Sequence, residues 1–175
     1  VRKRTFNISV VSSLILIFDV MNKMRLKPFV KWVGGKGQLL KEIESKLPDF
    51  ILENKKFNYV EPFIGSGAVL FHLMNHYSEN LNKVVINDLN TRLIYLYETV
   101  ITQPIIFMES INKLKEKYNR LKPIEQKEFY LNKRKEFNNL DVIEKNKINI
   151  SVLFLFLNKT GFNGMYREHS KGLYN

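Results

Sequence analysis

Apolar and polar positions along the chain follow two rhythms. From Gly37 to Leu47, Leu39, Leu40, Ile43 and Leu47 fall on one helical face and Pro48 follows, so the spacing predicts a helix stopped by the proline. Phe57 to Ile64 reads as a short strand entering a glycine turn, and a helix restarts over Ala68 to Met74. Val84-Val85-Ile86 is a second compact strand, ending at Asn87-Asp88. Thr91 to Ile101 is predicted helical, with Leu93, Ile94, Tyr97 and Ile101 on one side, and Pro104 lies just beyond it. Two Lys-rich amphipathic helices follow, around Ile105–Leu121 and Ile124–Asn138. Ser151 to Leu157 is nearly all apolar and must be buried, its aromatic run from Phe154 being core. The Gly- and Asn-rich stretch from Asn158 to Asn175 is predicted to be a loop. Strands alternating with helices predict an α/β fold with a parallel sheet covered by helices.

Residues 1–26 do not fit this pattern. Arg2, Lys3 and Arg4 precede an apolar run from Ile8 to Val20 that is broken by Ser12, Ser13 and Asp19. Its length falls short of the ~20 residues a membrane span needs. The layout imitates a signal peptide, yet no small-x-small cleavage site follows. Translation starting at Met21 or Met24, a loosely packed helix or strand, and a targeting segment are the three readings. No membrane partner is expected.

Composition narrows the chemistry. Hydrophobic residues at 45% are enough for a folded core, and the absence of cysteine excludes disulfides, thiolate metal sites and cysteine nucleophiles. A net charge of +11, from 28 Lys plus Arg against 17 Asp plus Glu, permits a polyanionic partner. Abundant Lys, Asn and Ile also fit an AT-rich coding bias, so charge alone names no partner.

The segment Glu61-Pro62-Phe63-Ile64-Gly65-Ser66-Gly67 puts a G-x-G directly between a strand and a helix. Glycines there let the backbone turn sharply and a ligand approach closely. Asp88 closes the next strand, 21 residues after Gly67. That separation suits an acid accepting hydrogen bonds from ribose hydroxyls. Leu70 stands where a dinucleotide fingerprint has its third glycine, so an adenosine ligand without phosphates fits better, and S-adenosylmethionine is the common one. The plain alternative is a turn with an incidental acid. Upstream, Lys31-Trp32-Val33-Gly34-Gly35-Lys36-Gly37 fails the P-loop pattern, because Val30 replaces its first glycine and Gly37 follows the lysine. Trp32, the one tryptophan, suits stacking on a base or adenine ring.

Together these blocks resemble the DNA adenine methyltransferase (Dam-like) family. The resemblance rests on F-x-K-W-x-G-G-K from Phe29, E-P-F-x-G-x-G from Glu61, and I-N-D-x-N from Ile86 to Asn90. Phe129-Tyr130 with Arg134 and Phe137-Asn138, and then Phe154 through Arg167, continue it in order. It covers about Lys27 to Asn175. It implies a partial Rossmann-like methyltransferase sheet with flanking helices, an S-adenosylmethionine cofactor and double-stranded DNA as partner. It implies cofactor contacts by Trp32, Lys36, Glu61, Pro62, Phe63, Gly65 and Gly67, with Asp88 binding ribose. Lys31, Phe162, Asn163, Arg167 and His169 would meet the DNA. The family often has Tyr at Phe162 and Asn at His169, so the stacking face is kept while the donor and acceptor set changes. The division it implies is 27–157 as an incomplete cofactor-binding core and 158–175 as the start of the recognition region, in a cytoplasmic, DNA-associated enzyme without an obligate protein partner.

The family's chemistry depends on an Asp-Pro-Pro-Tyr type motif, whose acceptors make the adenine amino nitrogen nucleophilic while its aromatic ring holds the flipped base. The prolines here are Pro28, Pro48, Pro62, Pro104 and Pro123, and none are adjacent. No catalytic residue is therefore assigned, and an N-terminal portion inactive by itself is expected, with a non-catalytic remnant binding cofactor or DNA as the alternative. His72 and His76 share a helix face, but Leu73 stands where a zinc protease needs Glu, and no metal site is expected. Lys113, Lys115, Lys117 and Lys122 read as a solvated helix face. A dehydrogenase or kinase is disfavoured by the missing third glycine and the failed P-loop.

Overall fold

The computed structural model describes residues 4–7, 25–53, 55–169 and 173–175. The N-terminal apolar run from Ile8 to Val20, and Lys171, lie outside the described residues. Two compact units divide the chain: one comprises the described residues up to Phe29 with Gly34–Leu89, the other Val30–Val33 with Asn90–Asn175.

The first unit holds a mixed sheet in the order β1 (Arg4–Asn7), β3 (Leu81–Ile86), β2 (Phe57–Glu61). β1 runs antiparallel to β3, whereas β2 and β3 are parallel, with Tyr59 opposite Val84 and Glu61 opposite Ile86. Parallel neighbours need a crossover, and the helix α3 (Ala68–Tyr77) lies between these two strands in the chain. Phe57 and Glu61 are buried on β2, and Leu81, Val84 and Ile86 on β3, with the register shifting between Phe57 and Asn58. Ahead of them, a 3₁₀ turn (Lys36–Leu39) leads into α1 (Leu40–Glu44), and α2 (Asp49–Leu52) follows Pro48. The helix expected to Leu47 stops at Glu44 because Lys46 and Leu47 donate to Ile43 and Glu44 in tighter, three-residue turns.

The second unit is helical: α4 (Thr91–Thr102), α5 (Pro104–Asn119), α6 (Pro123–Asn139) and α7 (Lys147–Thr160). Pro104 and Pro123 open α5 and α6, where a missing N–H costs nothing. α4 was expected to bury a single stripe. Instead, Arg92 to Tyr97 are all buried, so its first turns are enclosed on every side. α7 packs against α4, where Thr99 and Ser151 hydroxyls meet at 2.9 Å, while its Phe156 ring meets Tyr118 of α5 and Phe129 of α6 edge-on. The Arg92 guanidinium, buried with them, lies 4.5 Å from the Phe137 ring centre. The stretch from Asn158 is also not loop from its first residue, because α7 continues to Thr160. No helix among the described residues is long and apolar enough to cross a membrane.

The core placement has a direct test. Phe154 is 0% exposed and Ile105 is 73% exposed. Phe154→Ala should cost about 3–5 kcal/mol of unfolding free energy, and Ile105→Ala no more than about 0.5 kcal/mol, both read from urea midpoints.

Candidate functional site

At the ends of β2 and β3 the parallel ladder continues into the loops. The Asn87 N–H donates to Glu61 O and the Ile64 N–H donates to Asn87 O, each at 2.9 Å. This stitching brings the glycine turn beside the acid that ends β3, and the Gly65 N–H donates to Asp88 Oδ2 at 3.0 Å. Gly65 and Gly67 have φ of 50° and 75°, the left-handed region that side chains disfavour, which is why the turn is built from glycine. Gly67 is also the N-cap of α3 and brings no capping side chain.

Glu61 supplies what Gly67 lacks. Its carboxyl, in a residue only 5% exposed, receives the Leu70 N–H from the first turn of α3. The Tyr59 hydroxyl donates to Glu61 Oε2 at 2.8 Å, and Lys36 Nζ stands 3.1 Å from Oε1. Lys36 Nζ also donates to the Phe63 carbonyl at 2.7 Å, so one ammonium ties the Lys36 turn to both ends of the segment from Glu61 to Phe63. Burial pushes the Glu61 carboxyl above its ordinary range, against the lowering effect of Tyr59, Lys36 and the Leu70 N–H. The Tyr59 hydroxyl is held far above its ordinary value by burial and by the neighbouring carboxylate. Pro62 and Phe63 are exposed beside this buried network.

Lys36, Glu61, Gly65 and Asp88 thus come together within the first unit. Trp32 belongs to the second, where its ring lies nearly parallel to Tyr166 with centres 5.0 Å apart, and to Phe154 at 6.3 Å. Tyr59 went unnoticed in the sequence, although strand alternation puts it on the same face as Glu61. The Leu70 N–H had no residue-type signal.

The other candidate residues surround the end of α7. A 3₁₀ turn over Phe162–Gly164 leaves Phe162 83% exposed and Asn163 at φ 56°, a conformation that asparagine tolerates better than most residues. Met165 then bridges Lys31 in parallel, and Glu168 bridges Tyr174 in antiparallel sense. The Asn175 N–H donates to Arg167 O at 3.0 Å and the His169 N–H to Leu173 O at 3.1 Å, so Arg167–His169 and Leu173–Asn175 pair as a narrow arm. Lys31, Phe162, Asn163, Arg167 and His169 are all exposed in this unit. Two cationic side chains beside an exposed aromatic are suited to phosphates and bases.

Residues 32–175 match the D12 class N6 adenine-specific DNA methyltransferase family. The chain is 39% identical over 152 residues to the type II methyltransferase M.MjaIII of Methanocaldococcus jannaschii, covering 87% of this chain and 52% of that protein. It is 34% identical over 155 residues to the type II methyltransferase M1.LlaDCHI of Lactococcus lactis subsp. cremoris, with 88% and 48% covered. A DNA adenine methylase of Haemophilus influenzae is 32% identical over 163 residues, with 87% and 47% covered. The chain spans about half the length of these curated relatives.

The buried carboxyl yields a pH test. Because its pKa is raised in the folded state, the folded chain keeps a proton that the unfolded chain loses. That contribution to stability is complete below the ordinary glutamate range, about pH 4, and is lost as pH rises through the higher folded value. The unfolding free energy of the wild type relative to Glu61→Gln should therefore fall as pH rises from about 4 through the raised folded value, in a series of urea melts.

Proposed function

We propose, because this chain belongs to the D12 class N6 adenine-specific DNA methyltransferase family, that it forms the cofactor-binding and DNA-approaching portion of an enzyme that methylates the exocyclic amino group of adenine. The observation that carries the reading is the Gly65–Asp88 pairing at neighbouring parallel strand ends. Ligands of open α/β sheets bind at the carboxyl ends of strands, and a strand-end acid beside a glycine turn is the acceptor that the hydroxyls of an adenosine ribose need.

S-adenosylmethionine fits these residues and, when bound, supplies the methyl group. Asp88 accepts hydrogen bonds from the ribose hydroxyls, and Gly65 and Gly67 leave the backbone open to close approach. Lys36 fixes the turn through the Phe63 carbonyl and the Glu61 carboxylate, while Pro62 and Phe63 form its exposed rim. Trp32 is held in its aromatic stack one residue from Lys31. Residues 27–157 serve the cofactor-binding core and 158–175 begin the recognition region. There Lys31, Phe162, Asn163, Arg167 and His169 meet duplex DNA, cations on phosphates and polar groups on base edges.

The adenine amino group is a poor nucleophile, and no pair of adjacent prolines occurs in these 175 residues to build an Asp-Pro-Pro-Tyr motif. By themselves they bind cofactor and DNA without transferring methyl. The same absence favours the second reading, a non-catalytic binding protein.

Calorimetric titration with S-adenosylmethionine should show binding that Asp88→Ala weakens by roughly tenfold or more, as expected for lost hydrogen bonds to a charged group. Equal binding by both proteins would remove Asp88 from the site. Labelled cofactor with duplex DNA should give no transfer above background, and clear turnover would show that the amino group is activated by residues within this chain.

A further inference from the structure

The candidate DNA-contacting residues of the second unit come from two segments more than a hundred residues apart, and a buried side chain joins them. Asn158, in the last turn of α7, is 0% exposed. Its Oδ1 accepts the Lys31 N–H at 3.0 Å and its Nδ2 donates to Lys31 O at 2.9 Å. A carboxamide is the side chain able to satisfy a main-chain donor and acceptor together in this way, standing in for a neighbouring strand. Lys31 also bridges Met165. Between them passes Gly164, at φ 65°, where an added Cβ would stand 3.0 Å from both Asn158 O and Lys31 Cδ. The stem of Lys31 therefore crosses the loop at the one residue bare enough to admit it.

The arrangement is repeated on the other side of the arm. Asn138, near the end of α6, donates from Nδ2 to Tyr174 O at 3.0 Å and accepts the Tyr174 N–H at 2.9 Å. Asn90 uses Oδ1 to cap α4 through the Leu93 N–H, at 3.0 Å, and its Nδ2 donates to Glu168 Oε1 at 3.1 Å. Each clamp sits at a helix end and grips an irregular segment. Rigid elements thus fix the geometry of groups that would otherwise sample many positions.

We propose that Asn158 is a positioning residue for DNA recognition, setting the main chain of Lys31 so that its side chain shares one surface with Phe162, Asn163 and Arg167. Asn138 holds the far arm of the same surface. This inference rests on the DNA reading of that surface and adds the device that makes it sequence-selective. Phosphate attraction survives small displacements of a cation, whereas base-edge contacts do not.

The test uses the full chain and a pool of short randomised DNA duplexes. The wild type should bind the pool with an affinity that falls with salt, and should enrich a preferred sequence. Asn158→Asp replaces the Nδ2 donor with an acceptor facing the Lys31 carbonyl. It should retain salt-dependent binding to the unselected pool and lose roughly tenfold or more in enrichment. Acidification should restore enrichment, because the protonated carboxyl again donates; a loss that acidification leaves untouched would assign the effect to packing and overturn the proposal. So would wild-type enrichment by a folded Asn158→Asp. If that variant does not fold, Asn138→Asp decides instead, with lost enrichment and retained pool binding expected and unchanged enrichment overturning the inference. A wild type that binds no duplex would overturn the DNA reading itself, which the variants alone do not address.

Discussion

The parallel register of β2 and β3 is the constraint on which the candidate cofactor site depends. A strand pair slipped by one residue would turn Glu61 toward solvent and move every side chain of β2 to the opposite face. The observed register sets Glu61 opposite Ile86 and lets Asn87 extend the ladder by two bonds, which in turn delivers Gly65 to Asp88. Apolar burial of Val84 and Ile86 selects this register, so packing and the alignment of polar groups are set at the same end of the strand pair.

Around that alignment, Glu61 is held to several tasks at once. A buried carboxylate is costly unless it is paired and hydrogen-bonded. Here Tyr59, Lys36 and the Leu70 N–H converge on it. The pairing organises the Lys36 turn, the strand end and the start of α3 around one anion. The family motif beginning at Glu61 is therefore an architectural joint. Its exposed part lies at Pro62 and Phe63, its closest backbone approach at the two glycines.

Most elements were legible because their apolar spacing was strong: α3, α4, α5, α6 and both parallel strands stand within a few residues of their expected positions. The differences have local causes. Three-residue turns ended α1 early, and α7 ran on to Thr160 through residues whose composition reads as loop. The near-complete burial of α4 was hidden because amphipathic spacing reports one face, while a second face is covered only by the partner helix. The nearness of Asp88 to the glycine turn was foreseeable from strand order and spacing. The intramolecular stacking of Trp32 was not, because Tyr166 lies far away in sequence. The asparagine clamps were invisible for the same reason: an asparagine's composition signal is turn or cap, and only tertiary structure turns its amide into a strand's edge.

The aromatic stack has an optical consequence. The chain contains one tryptophan, and that indole rests on Tyr166, between the bridged residue Met165 and the arm that starts at Arg167. Its emission therefore comes from a single known environment and responds to any parting of those two rings, so the loop carries its own spectroscopic probe. The absence of cysteine means that one introduced thiol could take an acceptor dye at a chosen site without competing labels. Movements of the loop around Tyr166 can thus be followed in solution by energy transfer from a donor the sequence already provides.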